Sequence, residues 1–505
     1  MVNETLNRHR FLGVLLLAAA VLTLTAWLRG AEYDEQYSLF LTAGVPRPAW
    51  PETVFPAGLA RDIQAGTSGF LAIGQDLRVT DVHPPLYFWL LALWRAAFGP
   101  DLFVARALSV VLGVAALGLT GAIAQRARIP PAQAMLLTLG CYAFAYTSGI
   151  ARGFALAQLL LLGGALCLVS PSRAWRFALG GALLGGASFA NYLAIFVGAA
   201  CLAAAGLYWL SGRAWRHPAP LAILGFAVFL PADLWWFMAQ RASRDGQFPA
   251  FSAIDSLTRL ATRGAGAIFG GLPLYLPEPA SRPPGIALGL LLLCLVWRVA
   301  RGWHAIAPPT VRATLALAVV ATPAGLFLLG AMFGNTPIEV RYLAFATPFA
   351  GLLVAATAGR RLTALVLAIQ AAALAGLMLA PQTMQPARAA ARAAAELAGD
   401  GPMGDGPMGD RLVLLPRGND GVGVVGAFAI EAPPGLPLLL VAATATPASI
   451  EARLSGHRRV VLALLEQDEA SRAASAAMRR AFDGPRWREV ARRPNLAVYE
   501  RIGGD

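Results

Sequence analysis

The sequence predicts a polytopic α-helical membrane protein with a small C-terminal α/β domain. Three observations carry this. Hydrophobic residues make up 57% of the 505 residues and charged ones only 14%, and the mean hydropathy is +0.59, far from the profile of a soluble globular chain. Apolar runs of spanning length recur, separated by short polar breaks. Pairs of arginines fall in alternate breaks, as they do where basic residues stay on the cytoplasmic side.

The net charge of +13 comes without a single lysine, which removes lysine from the candidate catalytic groups. The arginines form short pairs and no continuous basic stripe, so nucleic acid is excluded as the explanation of the charge. Cys141, Cys167, Cys201 and Cys294 lie in apolar runs with no CxxC spacing. They read as buried thiols, and no disulfide framework is required.

The first run, 11–28, follows Arg8 and Arg10. Charged residues follow it where a signal peptide would show a small-residue cleavage site, so it reads as a retained span. Further spans are expected near 102–124, 131–148, 153–170, 175–190, 193–210, 219–238, 284–300, 311–332, 342–358 and 362–380. That makes about eleven transmembrane helices, two of which (175–190 and 284–300) are short for a hydrocarbon core of about 30 Å. Arg8/Arg10, Arg126/Arg128, Arg173/Arg176, Arg213/Arg216, Arg298/Arg301 and Arg360/Arg361 mark every second loop, which places the N-terminus in the cytoplasm. The loops 29–101, 149–152, 191–192, 239–283 and 333–341, and everything after 380, then face outward. This holds if Leu86–Phe98 does not cross. The segment is short, is bounded by His83-Pro84-Pro85 and Gly99-Pro100, and carries Arg95, so it is expected to lie at the outer surface.

The expected domain map is a membrane part over 1–380, with a large outer loop at 29–101 holding one or two amphipathic helices. A helix and flexible linker follow at 381–410. The helix covers 386–398, and the linker at 399–410 is a tandem Gly-Asp-Gly-Pro-Met repeat. The last part, 411–505, alternates strand-like runs (Leu412–Leu415, Leu438–Val441, Val460–Leu465, Leu496–Tyr499) with helix-like stretches at 448–455 and 468–482, as a small α/β domain does.

This topology brings Glu32, Asp34, Glu35, Asp81, His83, Arg152, Asn191, Tyr192, Glu339, Arg341 and Tyr342 to the outer face. Carboxylates suit general-base work or metal binding, and arginines at the mouths of spans suit phosphate, whose oxygens match the guanidinium fork. Tyr33, Tyr37, Tyr192 and Tyr342 can stack on sugars or offer hydroxyls. Each residue also has a plainer account. Asp34 and Glu35 fit a solvated helix start, and His83 fits the end of a loop before two prolines. Arg152 fits an arginine reaching for lipid phosphates, and Arg341 fits an ion pair with Glu339. Gly163-Gly164 and Gly180-Gly181 suit helix packing better than nucleotide binding. No Walker, HExxH or GxSxG motif occurs.

These residues resemble a family. Tyr33-Asp34-Glu35-Gln36-Tyr37 after a first span is similar to the start of the outer loop in glycosyltransferase family 39-like proteins of the GT-C type, which are related to protein O-mannosyltransferases and the lipid A aminoarabinose transferase. Asp81-Val82-His83-Pro84-Pro85-Leu86-Tyr87-Phe88 is similar to their D-x-H-P-P-L-Y run, which Leu93-Trp94, Phe98-Gly99 and Arg106 to Ser109 continue. Ala151-Arg152-Gly153-Phe154 resembles an A-R-P-Y element with glycine at the proline position. Asn191-Tyr192 stands where many members have His-Tyr, and Arg341-Tyr342-Leu343 resembles the start of a late span. The resemblance covers about residues 10–380.

The resemblance implies an integral membrane glycosyltransferase of the cytoplasmic (inner) membrane. Such an enzyme moves a sugar from a polyprenyl-phosphate donor to an acceptor on the outer face, with inversion. Asp34 would be the general base, with Glu35 assisting. Arg152 and Arg341 would hold the donor phosphate as it leaves, and Asp81, His83, Tyr192 and Tyr342 would complete the donor site. A divalent cation on Asp34, Glu35 and His83 is left open. The partners implied are the lipid-linked sugar, the bilayer, and a glycan, lipid or protein acceptor that the sequence does not name. Two other classes stand beside this reading. A transporter or flippase of lipid-linked saccharide would place ionisable residues at mid-membrane in repeated halves. A non-catalytic membrane scaffold binding envelope components would tolerate loss of Asp34.

Overall fold

The computed structural model describes residues 2–169, 173–210, 218–240, 248–270, 279–306, 308–379, 387–399, 411–419 and 421–502. The repeat-bearing linker at 400–410, the pair Arg213/Arg216, and residues 241–247 and 271–278 of the loop 239–283 lie outside them. The chain divides into two compact units. One comprises Met1–Arg29, Gly74–Leu91 and Phe103–Pro381, and the other Gly30–Ile73, Ala92–Leu102 and Gln382–Asp505.

Among the described residues seven helices are long and apolar enough to cross a membrane: Arg8–Leu28, Leu102–Arg126, Ala219–Ala239, Arg282–Arg301, Pro309–Phe333, Val340–Thr357 and Arg360–Leu379. The other expected spans are helical but shorter. Phe154–Leu168, Ala174–Ala190 and Ala194–Tyr208 are single helices. The stretch 131–148 is not one span. It breaks into Pro131–Gly140 and Tyr142–Ser148 where Cys141 turns extended (φ −60°, ψ 118°). Prolines start several of these helices, where the missing N–H costs nothing, as at Pro131 and Pro309. Gly334, left-handed at φ 67°, closes Pro309–Phe333. Ala219–Ala239 bends where Pro231 opens its second half, Leu230–Ala239.

Glycines set the closest packing in this unit. A Cβ at Gly181 would lie 1.8 Å from the Ala222 carbonyl oxygen, and one at Gly225 2.2 Å from that of Ala178. Helices Ala174–Ala190 and Ala219–Ala227 thus meet backbone to backbone, the small-residue packing expected in a bilayer. Arg106 donates to the Ala26 carbonyl (2.8 Å) and the Arg29 carbonyl (2.9 Å), satisfying the open end of the first helix.

The second unit holds a six-stranded sheet: β1 (Phe55–Pro56), β2 (Arg411–Pro416), β3 (Pro437–Val441), β4 (Arg459–Ala463), β5 (Trp487–Arg493) and β6 (Leu496–Arg501), in the order β1-β3-β2-β4-β6-β5. β2 runs parallel to β3 and β4, and the remaining pairs are antiparallel. Helices Ala387–Ala398 and Gly423–Glu431 contribute to one apolar core, and Pro447–Arg453 and Glu469–Ala481 to another. Strands β1 and β5 and helix Gly423–Glu431 had no counterpart in the sequence reading.

The segment 29–101 is also richer than expected. It carries helices Tyr33–Thr42, Leu59–Gln64, Phe70–Thr80 and Leu86–Phe98 in place of one or two. Residues 30–73 build part of the second unit's core. Phe40, Trp50 and Phe55 are buried with Val413, Leu415 and Leu438, and the Trp50 indole donates to the Gly421 carbonyl at 2.6 Å. Arg95 is buried and not at the exposed surface its charge suggests. It donates to the carbonyls of Leu39 (3.0 Å) and Gln64 and to the Thr42 hydroxyl (2.5 Å). Burial pulls its pKa down to about 10 against the opposing pull of Asp101, so it stays charged at neutral pH. Its charge is spent on backbone carbonyls, so it is no guide to the depth of the helix.

Candidate active site

In the first unit, Asp81 and His83 sit on the turn between Phe70–Thr80 and Leu86–Phe98. Pro84 and Pro85 shape that turn: proline cannot continue the earlier helix but is suited to start the next. Arg152 comes from the tight turn between Tyr142–Ser148 and Phe154–Leu168, where its own N–H donates to the Ile150 carbonyl at 2.9 Å. The two turns meet through side chains. Asp81 Oδ2 accepts from the Arg152 guanidinium at 3.0 Å, and Oδ1 accepts from the Val82 N–H at 2.6 Å and from His83 Nδ1 at 2.8 Å. Asp81 and Arg152 are buried, while the His83 side chain keeps 18% of its surface exposed. Burial alone would push the Asp81 carboxyl up. The Arg152 charge, His83 and the Val82 N–H outweigh it and hold the group well below the usual carboxylate range. An ionised Asp81 only accepts hydrogen bonds, so the His83 proton lies on Nδ1 and the imidazole presents Nε2 as its other polar atom.

Gly153 is where the resembling motif has proline. A Cβ there would lie 2.5 Å from the Ala190 carbonyl oxygen and 3.3 Å from Tyr87 Cβ, so this backbone has room only for glycine. The same approach sets Arg152 beside the end of helix Ala174–Ala190. There Asn191 is buried and its side chain accepts from the Leu193 N–H at 3.1 Å, so it serves the turn. The Arg152 guanidinium lies 5.8 Å from the Phe88 ring centroid.

Tyr192 and Tyr342 reach this neighbourhood by different routes. The Tyr192 hydroxyl donates to Gln240 Oε1 at 2.9 Å, and Gln240 Nε2 donates to the His83 carbonyl at 2.9 Å. The Tyr342 ring stacks near that of Phe154, two residues beyond Arg152, at 6.5 Å between centroids. Arg341 lies over the Tyr342 ring at 5.3 Å. Sequence reasoning missed Gln240, because a lone glutamine at the end of an apolar run looks like an ordinary polar boundary. It also missed Asp233, which is buried inside the stretch read as span 219–238 and accepts from the Ser188 hydroxyl. An acidic residue within an apolar run is itself a signal.

In the second unit, Asp34 and Glu35 occupy the first turn of helix Tyr33–Thr42. Their surroundings differ. Asp34 is half-buried, whereas Glu35 is fully buried and its carboxylate accepts the Glu32 N–H at 3.0 Å, closing the helix start. Glu32 is buried too, so neither it nor Glu35 sits on a solvated helix start. The Tyr33 and Tyr37 hydroxyls are 2.6 Å apart. No group of three or more His, Cys, Asp or Glu side chains placed to hold a metal ion occurs among the described residues. A cavity of about 810 Å³ in this unit, with Leu465, Glu466, Arg479, Arg492, Asn495 and Tyr499 in its wall, contains none of the residues singled out from the sequence.

No family model matches the chain, and no curated protein matches it. Among solved structures it is similar to ArnT from Cupriavidus metallidurans bound to undecaprenyl phosphate, with 13% identity, a TM-score of 0.42, and 97% of this chain and 98% of that one covered. It is likewise similar to the apo state of the same protein, with 13% identity, a TM-score of 0.44 and 97% of each chain covered.

Proposed function

We propose that this chain is a membrane glycosyltransferase that moves a sugar from a polyprenyl-phosphate donor to an acceptor at the outer face of the membrane, with inversion. The observation that carries the reading is the Asp81–His83–Arg152 set, joined through the buried Asp81 carboxylate, in a chain of spanning helices. A cation and an imidazole, both oriented by one ionised carboxylate, suit a phosphate headgroup whose lipid tail stays in the bilayer. Arg152, assisted by Arg341, neutralises the charge that gathers on the phosphate as the bond to the sugar breaks. As an imidazolium, His83 donates from Nε2 to a phosphate oxygen while Nδ1 stays on Asp81, and Tyr192 and Tyr342 line the sugar. Asp34, the more exposed carboxylate of its pair, takes the proton of the attacking hydroxyl or amine. Glu35 fixes the helix start from which Asp34 projects. Transfer needs no nucleotide, in keeping with the absence of a nucleotide-binding motif.

The test is transfer by the purified full chain, given a polyprenyl-phosphate sugar and extracts of envelope glycolipids and glycoproteins as acceptors. Asp34→Asn is expected to slow turnover by about 100-fold or more, the usual share of a general base, with the thermal midpoint unchanged. Turnover near that of the unaltered chain would remove Asp34 from the chemistry and favour the scaffold.

A further inference from the structure

Gln240 has no exposed surface, and three of its hydrogen-bonding positions are engaged. Its amide nitrogen donates to the Leu77 carbonyl at 2.9 Å and to the His83 carbonyl at 2.9 Å, and its oxygen accepts from the Tyr192 hydroxyl at 2.9 Å. Leu77 and His83 stand on either side of Asp81. One side chain therefore grips the Asp81–His83 turn at both ends and ties it to Tyr192. Gln240 itself is held firmly. It caps helix Leu230–Ala239, with its N–H donating to the Trp236 carbonyl at 3.1 Å. About two turns earlier on the same helix, Asp233 accepts from Ser188 on helix Ala174–Ala190. Trp236, between these two, is buried and meets Gly74, where an added Cβ would lie 3.2 Å from its ring. The helix end is thus a brace for two polar turns that have no direct contact with it in sequence.

We infer that Gln240 is a positioning residue: it sets the Asp81–His83 turn against Tyr192 and so fixes where the His83 imidazole and the Tyr192 ring stand. The geometric part stands on the contacts above. Its consequence for donor binding rests on the phosphate reading of the site. No other side-chain type of this size supplies two donors and an acceptor at these three points. Leucine fills the volume and loses every contact. Glutamate keeps an acceptor for Tyr192 but turns a carboxylate toward two carbonyl oxygens.

The experiment uses the full chain in detergent with Gln240→Leu, Gln240→Glu and Tyr192→Phe. The first readout is the rate at which diethyl pyrocarbonate modifies His83, followed by peptide mass spectrometry, with exposed His304 as internal reference. Both Gln240 variants are expected to speed modification of His83 by about tenfold, the scale of buried groups left unpaired, with His304 unchanged. Equal His83 rates in the unaltered chain and both variants overturn the inference whether or not the protein binds phosphate. The second readout is affinity for undecaprenyl phosphate. A released His83 together with weakened affinity in Gln240→Leu, and no further loss in the double variant with Tyr192→Phe, supports the inference and its consequence. A released His83 in a chain that never bound undecaprenyl phosphate overturns the phosphate reading and leaves the positioning role standing.

Discussion

At the scale of single residues, Asp81 decides how the site holds together. A buried carboxylate is unfavourable unless it is paired, and its two oxygens are taken by Arg152 and by His83 with the Val82 N–H. The linkage has a definite sign. The folded-state pKa is depressed, so the pairing contributes stability above the ordinary carboxylate range near 4, and loses it only as pH falls towards the lower folded value. Arg152→Ala removes the main counterion and leaves burial dominant, so the carboxyl then protonates readily in mild acid. The variant is expected to lose about 3–5 kcal/mol near neutral pH, the scale for breaking a buried pair, and to lose donor affinity with it. Thermal unfolding in detergent checks this. The midpoint gap between the unaltered chain and Arg152→Ala should be widest near neutral pH and narrow towards about pH 4. A gap that stays constant across that range would mean the carboxylate is not held by Arg152.

At the scale of elements, the membrane part is assembled through glycines whose role the sequence showed only in outline. Gly180-Gly181 reads as a packing pair. The structure supplies the partner: Gly181 lies against the Ala222 backbone, Gly185 against that of Phe226 and Gly225 against that of Ala178. Those contacts fix helix Ala174–Ala190, whose end carries Asn191 and Tyr192, against Ala219–Ala227, which leads into the helix that ends at Gln240. Adding one methyl at Gly181 must push the two backbones apart. Gly181→Ala is expected to cost about 1–3 kcal/mol through overpacking and to lower the apparent midpoint of unfolding. Gly289→Ala, placed where nothing lies within 4 Å, is the matched control and should leave it unchanged. Equal midpoints in the two variants would show that the helices tolerate separation at this seam. Gly153 obeys the same logic within the site. The motif it departs from has proline there, and the Ala190 carbonyl leaves no room for it.

At the scale of the whole molecule, what was legible in the sequence follows from how each feature is encoded. Spanning helices announce themselves because a bilayer demands long apolar runs, and the strands β2, β3, β4 and β6 because buried strands are short apolar runs between turn residues. The break at Cys141 was not legible, since nothing in Gly140-Cys141-Tyr142 forbids a continuous helix. The pairing of Asp81 with Arg152 lay beyond reach for another reason: the residue types were visible, but not which of several arginines would meet which carboxylate. Least legible was the fate of residues 30–73. A strand of two residues carries no periodicity, yet β1 pairs with β3, Phe55 opposite Leu438. Arg61 reaches the Ile430 and Ala432 carbonyls, and Glu431 accepts from the Ala31 N–H at 2.6 Å and from Arg388 at 2.7 Å. The C-terminal sheet is therefore not an independent appendage beginning near residue 411. A fragment of residues 387–502 leaves the core positions of Phe40, Trp50 and Phe55 empty, strips the cover from Val413, Leu415 and Leu438, and opens the β3 edge to pairing with other chains. That fragment is expected to lack a cooperative thermal transition and to associate. Joining residues 30–73 ahead of residue 387 through a flexible linker should restore a sharp melt and a monomer. Circular dichroism against temperature, with sedimentation to read association, distinguishes the two. A fragment of 387–502 that melts cooperatively as a monomer would show that the acidic helix start at Asp34 is merely attached to this unit and is not built into it.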